Sequence, residues 1–166
     1  MPNPGHLRDF RRFRREPHPV SRAAQRLNMD YQTYKKNYFT DPPPEQRYNF
    51  TGDFGVTLFY QDYVAAITYY ERVLGPPAYV EGDGTRGWRI GQGWLTLLKG
   101  KSGNPRNLEI TFIVSSPAQA EALQRAFIDA GGAGPEPTDE LMYEPIRYCA
   151  VTDPFGVDLL VISPLA

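Results

Sequence analysis

After His18 the chain contains no histidine; His6 and His18 are the only two in 166 residues. Histidine is the commonest metal ligand and the one side chain that titrates unperturbed near neutral pH. Residues 19–166 must therefore do their chemistry, if they do any, without an imidazole. Cys149 stands alone, which excludes an intramolecular disulfide. No apolar run approaches the roughly 18 residues of a membrane span. Met1 to His6 lack the apolar stretch of a signal peptide, so a cytoplasmic location is expected.

Charge is present but unevenly placed. Residues 1–48 carry ten Lys/Arg and five Asp/Glu, a net of +5, whereas residues 49–166 carry eight against fourteen, a net of −6. A basic head on an acidic body suggests two segments with different jobs. In the head, Leu7, Phe10 and Phe13 recur at helical spacing before Pro17 and Pro19. Residues 21–36 then read as two short helices around Asn28, the first capped by Ser21 and the second by Asp30. This arrangement resembles a helix-turn-helix, in which Arg22, Arg26, Lys35 and Lys36 would contact phosphates of a nucleic acid. The competing and favoured reading is a helical arm that packs on the body or on a partner subunit. Asp41-Pro42-Pro43-Pro44-Glu45 is a stiff linker at the boundary. The expected organisation is a basic helical extension with its Pro-rich linker over 1–48 and a ligand-binding domain over 49–166.

The body reads as one unit twice. An extended run near 54–60 precedes Asp62, a candidate N-cap. The apolar stripe Tyr63, Ala66, Ile67, Tyr70, Val73 and Leu74 then ends at Gly75. Strands are predicted at 78–81, 87–90 and 94–99, separated by Gly82-Asp83-Gly84 and Gly91-Gln92-Gly93. The order returns with a strand at 108–114 and a capping box at Ser116-Pro117-Ala118-Gln119. Ala120, Leu123 and Phe127 make the second buried stripe, and strands follow near 137–141, 148–152 and 157–162. Ser116 follows Asp62 by 54 residues and Gly131 follows Gly75 by 56. Two similar modules are implied, about 52–100 and 107–166, neither able to bury its sheet alone. The fold class is α+β: paired βαβββ modules in a half-open, barrel-like sheet, with a helical N-terminal extension.

Two short motifs carry a resemblance. Asp62 with Tyr69-Tyr70-Glu71-Arg72-Val73-Leu74-Gly75 looks like the first-helix motif of the vicinal oxygen chelate superfamily, which holds glyoxalase I, bleomycin- and fosfomycin-resistance proteins and extradiol dioxygenases. Asp153-Pro154-Phe155-Gly156 resembles its turn before the last strand, and Arg147 sits six residues before Asp153, where many members carry arginine. The resemblance covers about residues 52–166. It implies that metal-dependent members would place ligands at Gly55, at about Leu97, at Glu109 and at Leu160. Only Glu109 can coordinate, and residues 94–98 contain no ligand side chain. Cys149 and Asp158 are the remaining candidates to join Glu109 in an improvised site. No cofactor is expected, because zinc, iron and manganese sites normally need at least three protein ligands.

Strand alternation sorts the open face. Thr57, Phe59, Glu109, Thr111 and Ile113 are assigned to it, together with Arg147, Cys149, Asp158, Leu160 and Ile162; Trp88 and Trp94 lie nearby. Blander roles stand beside these. Glu109 could pair with Arg147, the tryptophans could be packing or dimer contacts, and Cys149 could be a small buried hydrophobe. The expected ligand-binding set is Thr57, Phe59, Trp88, Glu109, Thr111, Arg147, Cys149 and Asp158. The expected function is metal-independent binding of an aromatic or amphipathic small molecule, for sequestration or sensing, by a homodimer that does not engage a membrane. Alternatives are a metal-dependent lyase or dioxygenase and a ligand-sensing regulator whose N-terminal helices bind nucleic acid.

Overall fold

The computed structural model describes residues 29–165. The expected helices at 6–16 and 21–27, with Arg22 and Arg26, lie outside the described residues. The element order is α1 (Tyr31–Tyr38), β1 (Gly55–Tyr60), α2 (Tyr63–Leu74), β2 (Tyr79–Glu81), β3 (Thr85–Ile90), β4 (Gly93–Lys99), β5 (Glu109–Ile113), α3 (Pro117–Asp129), β6 (Thr138–Met142), β7 (Glu144–Thr152) and β8 (Asp158–Pro164). From β1 onward this is strand–helix–three strands, twice. Each module forms a four-stranded mixed sheet, ordered β1-β4-β3-β2 and β5-β8-β7-β6. In both, the first strand pairs parallel to the last, Gly55 with Trp94 and Glu109 with Asp158. The helix therefore crosses one face of its sheet and leaves the other open. The sheets do not close into a barrel. No helix among the described residues is long and apolar enough to cross a membrane.

The helix-side faces of both sheets bury one shared core. Leu58, Tyr60, Ala66, Tyr70, Trp88, Leu95 and Leu97 enter it from the first module, and Ile110, Phe112, Ala120, Phe127, Val151 and Leu159 from the second. Each strand contributes alternate residues, as a half-buried strand must. The helices meet where the Tyr69 ring stacks on Phe127, and the Tyr69 hydroxyl donates to the Phe127 carbonyl at 3.1 Å. A smaller cluster, Ile146, Leu160 and Ile162, lies on the opposite face of the second sheet.

The caps differ in how they work. Ser116 accepts the Gln119 N–H, with Pro117 beginning α3. Asp30 accepts the Thr33 N–H at 3.0 Å at the start of α1. Asp62 stands at the N-cap position of α2, but its side chain makes no cap bond. Its Oδ2 accepts from the Asn104 amide at 2.8 Å instead, which ties α2 to the inter-module loop.

Asp153 joins the modules at depth. Its Oδ1 accepts the N–H groups of Phe155 and Val157, shaping the turn before β8. Its Oδ2 accepts the hydroxyls of Tyr70 at 3.1 Å and Tyr60 at 3.3 Å, both from the first module. Burial nevertheless pushes the carboxyl above the usual carboxylate range, because desolvation outweighs those four bonds. Burial likewise pushes both tyrosine hydroxyls up, so they remain donors.

Candidate functional site

The open face of the first sheet begins with β1. There Leu58 and Tyr60 are buried and Thr57 and Phe59 are exposed. Through the register, Thr57 lies beside Thr96 and Phe59 beside Leu98 on β4. Trp94 opens β4 on the same face. The Arg89 guanidinium lies 4.9 Å from its ring centroid, and the Tyr79 ring meets it edge-on at 6.5 Å. A cation on an indole face with an aromatic edge behind it holds that ring in one orientation.

The open face of the second sheet carries Glu109, Thr111 and Ile113 on β5, with Asp158, Leu160 and Ile162 beside them on β8. Thr152 donates to Asp158 Oδ1 at 2.9 Å. Glu109 is pushed above the usual carboxylate range, first by burial and then by the Asp158 charge. The Tyr148 hydroxyl is pushed up first by burial and then by the charges of Glu109, Glu140 and Asp158.

β1 and β5 are the edge strands of their sheets, and a cleft of about 480 Å³ takes in residues of both. Phe54, Val56, Ile90 and Trp94 line it from one module, and Glu109 and Thr111 from the other. The Trp94 N–H donates to the Phe54 carbonyl at 2.9 Å, so the segment entering β1 is tied down at the cleft. A Cβ at Gly93 would collide with that carbonyl oxygen, which explains glycine there.

The expected ligand-binding residues divide accordingly. Glu109 and Thr111 line the cleft; Thr57, Phe59 and Asp158 lie on the open faces beside it. Three others do not belong. Trp88 pairs with Leu95 on the helix side, is buried in the shared core, and donates its indole N–H to the Gly75 carbonyl at 2.8 Å. Cys149 is fully buried in that core, and burial pushes its thiol up to about 11, so it is no nucleophile. Arg147 shares its side of β7 and reaches Glu121 of α3 at 3.2 Å and Asp139 of β6 at 2.9 Å. The expected Arg147–Glu109 pair is therefore not formed; the two face opposite sides of the sheet. Leu97, the expected second ligand position, also points into the core.

Residues missed in the sequence reading are Phe54, Ile90, Arg89 and Tyr148. Val56, on the helix side of an edge strand, also reaches the cleft. The Tyr148 signal was its alternation with Cys149, taken in the wrong phase. Lys35 and Lys36 lie exposed on α1, and Lys35 sits over the Tyr31 ring at 5.7 Å. The same helix is held to the body: Tyr31 donates its hydroxyl to the Tyr143 carbonyl, and the Tyr143 N–H donates to the Tyr34 hydroxyl.

A divalent metal does not fit these residues. Glu109 has Asp158 as its carboxylate neighbour, the other expected ligand positions are Gly55, a core-facing Leu97 and Leu160, and Cys149 is on the wrong side of β7. Among the described residues, no three of His, Cys, Asp and Glu converge. The arrangement offers an aromatic wall, a carboxylate of raised proton affinity and two threonine hydroxyls on or beside the cleft. It can bind a flat apolar body with a polar or cationic group.

A sequence model of the Glyoxalase/Bleomycin resistance protein/Dioxygenase superfamily matches residues 54–161. No curated protein matches the sequence. Solved structures share the fold. A glyoxalase/bleomycin resistance protein from Albidiferax ferrireducens superposes with a TM-score of 0.53 at 20% identity, over 66% of this chain and 95% of its own. A lactoylglutathione lyase from Agrobacterium tumefaciens gives 0.54 at 14%, over 69% and 94%. An integron cassette protein from the mobile metagenome of the Halifax Harbour sewage outfall gives 0.56 at 19%, over 69% and 99%. At these identities the likeness is one of fold alone.

Proposed function

The chain belongs to the Glyoxalase/Bleomycin resistance protein/Dioxygenase superfamily, and from that footing we propose that it is a metal-independent binding protein for an aromatic or amphipathic small molecule. One observation carries the reading: the cleft beside β1 and β5 sets Trp94 and Phe54 on one wall and Glu109 on the other. An indole held by Arg89 supplies a preformed stacking surface, and preorganisation lowers the entropic cost of binding. Glu109 supplies one charged acceptor, which favours a ligand with a cationic or hydrogen-bond-donating group. Sequestration or sensing needs no further chemistry. Among the described residues the lyase or dioxygenase alternative lacks a donor set, and the regulator alternative rests in part on Arg22 and Arg26, which lie outside them. A homodimer belongs to the reading, formed through the open face of the first sheet. Phe59 is 57% exposed there and Trp94 37%, apolar surface of the kind that pairs with a second copy.

The test is a thermal-shift screen of the full chain against flat aromatic compounds, cationic and neutral. A ligand of the native state alone raises the melting temperature by mass action. Trp94→Ala and Glu109→Gln are expected to abolish the shift, while Val80→Ala, on the far side of β2, retains it. A shift that survives both cleft substitutions removes the cleft as the site. Light scattering reads the oligomer: a dimer is expected, and Phe59→Glu is expected to yield monomer.

A further inference from the structure

The open face of the second sheet has a charge pattern that the cleft does not explain. Alternation places Glu109, Thr111 and Ile113 on it from β5, Asp158, Leu160, Ile162 and Pro164 from β8, and Glu144, Ile146, Tyr148, Ala150 and Thr152 from β7. β6 adds Thr138, Glu140 and Met142. Among the described strand residues, four carboxylates stand on this face and no lysine or arginine does. Its nearest arginine by register, Arg147, points to the helix side. The face is also unpartnered at its cleft edge, where Ile113 is 72% exposed.

Residues 1–28 are its chemical complement. They carry seven arginines and two acids, a net of +5, with Leu7, Phe10 and Phe13 among the arginines. Their attachment point lies at the same sheet. Tyr31 and Tyr34 grip both backbone polar groups of Tyr143, the residue at φ +64 in the turn from β6 to β7. Residue 29 thus begins beside one end of the acidic face. Twenty-eight residues reach roughly 90 Å when extended, at about 3.3 Å each, whereas a seven-residue strand such as β8 spans only about 23 Å. Length imposes no obstacle.

We propose that the arginine-rich segment 1–28 docks on the acidic open face of the second sheet of its own chain, with the Tyr31–Tyr34–Tyr143 clasp as the fixed end. Arginine suits the role, because its planar fork pairs bidentately with carboxylates. The contact between opposed charges weakens with salt. Arginines on this face lie next to Glu109, so a docked segment screens the charge that the cleft offers a ligand. The docking does not depend on the ligand-binding reading, and it is read without any ligand.

The experiment uses the full chain, isotope-labelled, with Ser21→Cys carrying a nitroxide; the native Cys149 is fully buried and takes no label. Amide signals of Thr111, Tyr148 and Leu160 are expected to lose intensity at low salt and to regain it at high salt. Replacing Arg8, Arg11, Arg12, Arg14 and Arg15 with glutamine is expected to restore them at low salt. Full signals at low salt overturn the proposal, as does a loss of intensity that the arginine replacements leave unchanged. A loss that appears only when spin-labelled, isotope-silent chain is mixed with unlabelled-cysteine, isotope-labelled chain also overturns it, and assigns the face to the segment of a second copy.

Discussion

Asp153 is fully engaged and electrostatically uncomfortable at the same time. Its two oxygens accept four bonds from both modules, yet burial holds its carboxyl above the ordinary value near 3.9. A carboxyl whose folded pKa is raised binds more protons in the native state than in the unfolded one. Its contribution to stability therefore grows as pH falls through the folded pKa towards about 4, and the cost is fully present above it. Urea denaturation of the wild type and of Asp153→Asn is expected to show the wild type gaining on the variant as pH drops from 7 to about 4.5. A constant difference would mean that the carboxyl titrates normally. Tyr70→Phe removes a hydroxyl shared between Asp153 and Tyr60. The expected loss is about 1 kcal/mol, the typical net value of a buried hydrogen bond.

β7 shows how an element can hide its own orientation. Its two faces are almost equally apolar: Ile146, Tyr148 and Ala150 on one, Cys149 and Val151 on the other. Hydrophobic alternation fixes which residues share a face but not which face meets the helix, and a one-residue slip exchanges them all. That is why Arg147 and Cys149 were assigned to the open face, and why Tyr148 was overlooked. β1 and β5 were legible because each alternates between one exposed and one buried set, Thr57 and Phe59 against Leu58 and Tyr60. Trp88 was misplaced for a related reason: alternation puts Trp88 and Ile90 on one face of β3 but does not say that this is the face α2 covers. Helix α1 was legible from its Asp30 cap. Asp30→Ala is expected to destabilise the first turn of the helix by removing its cap. Hydrogen exchange at residues 33–38 should quicken accordingly, with α2 and α3 unchanged. Tyr34→Phe, which keeps the ring and loses the acceptor for the Tyr143 N–H, should loosen α1 without touching its cap.

The molecule as a whole depends on how closely the two modules approach. Gly132 stands at one close approach: a Cβ there would fall 2.8 Å from the Tyr69 hydroxyl of the first module and 2.9 Å from both the Phe127 carbonyl oxygen and a Val151 methyl. Gly132→Ala must push the helices apart or displace Tyr69. A loss of about 1–3 kcal/mol is expected, the range for overpacking a dense core, and chemical denaturation measures it. If the cleft binds as proposed, the same variant should weaken binding, because α2, α3, β1 and β5 share one core.

The sequence by itself determined the duplication, the α+β class and the poverty of metal ligands. These follow from local spacing, capping residues and composition, which need no knowledge of what lies across the sheet. Tertiary structure decided the phase of β7, the burial of Trp88, the partners of Arg147 and the cleft beside β1 and β5. Each depends on which face of a strand the helices cover and how far apart two edges stand. Those distances belong to residues dozens of positions apart in the chain, and no local pattern encodes them. The missing histidines were plain from the start; that an indole, a phenylalanine ring and a glutamate line a cleft instead could be seen only in the fold.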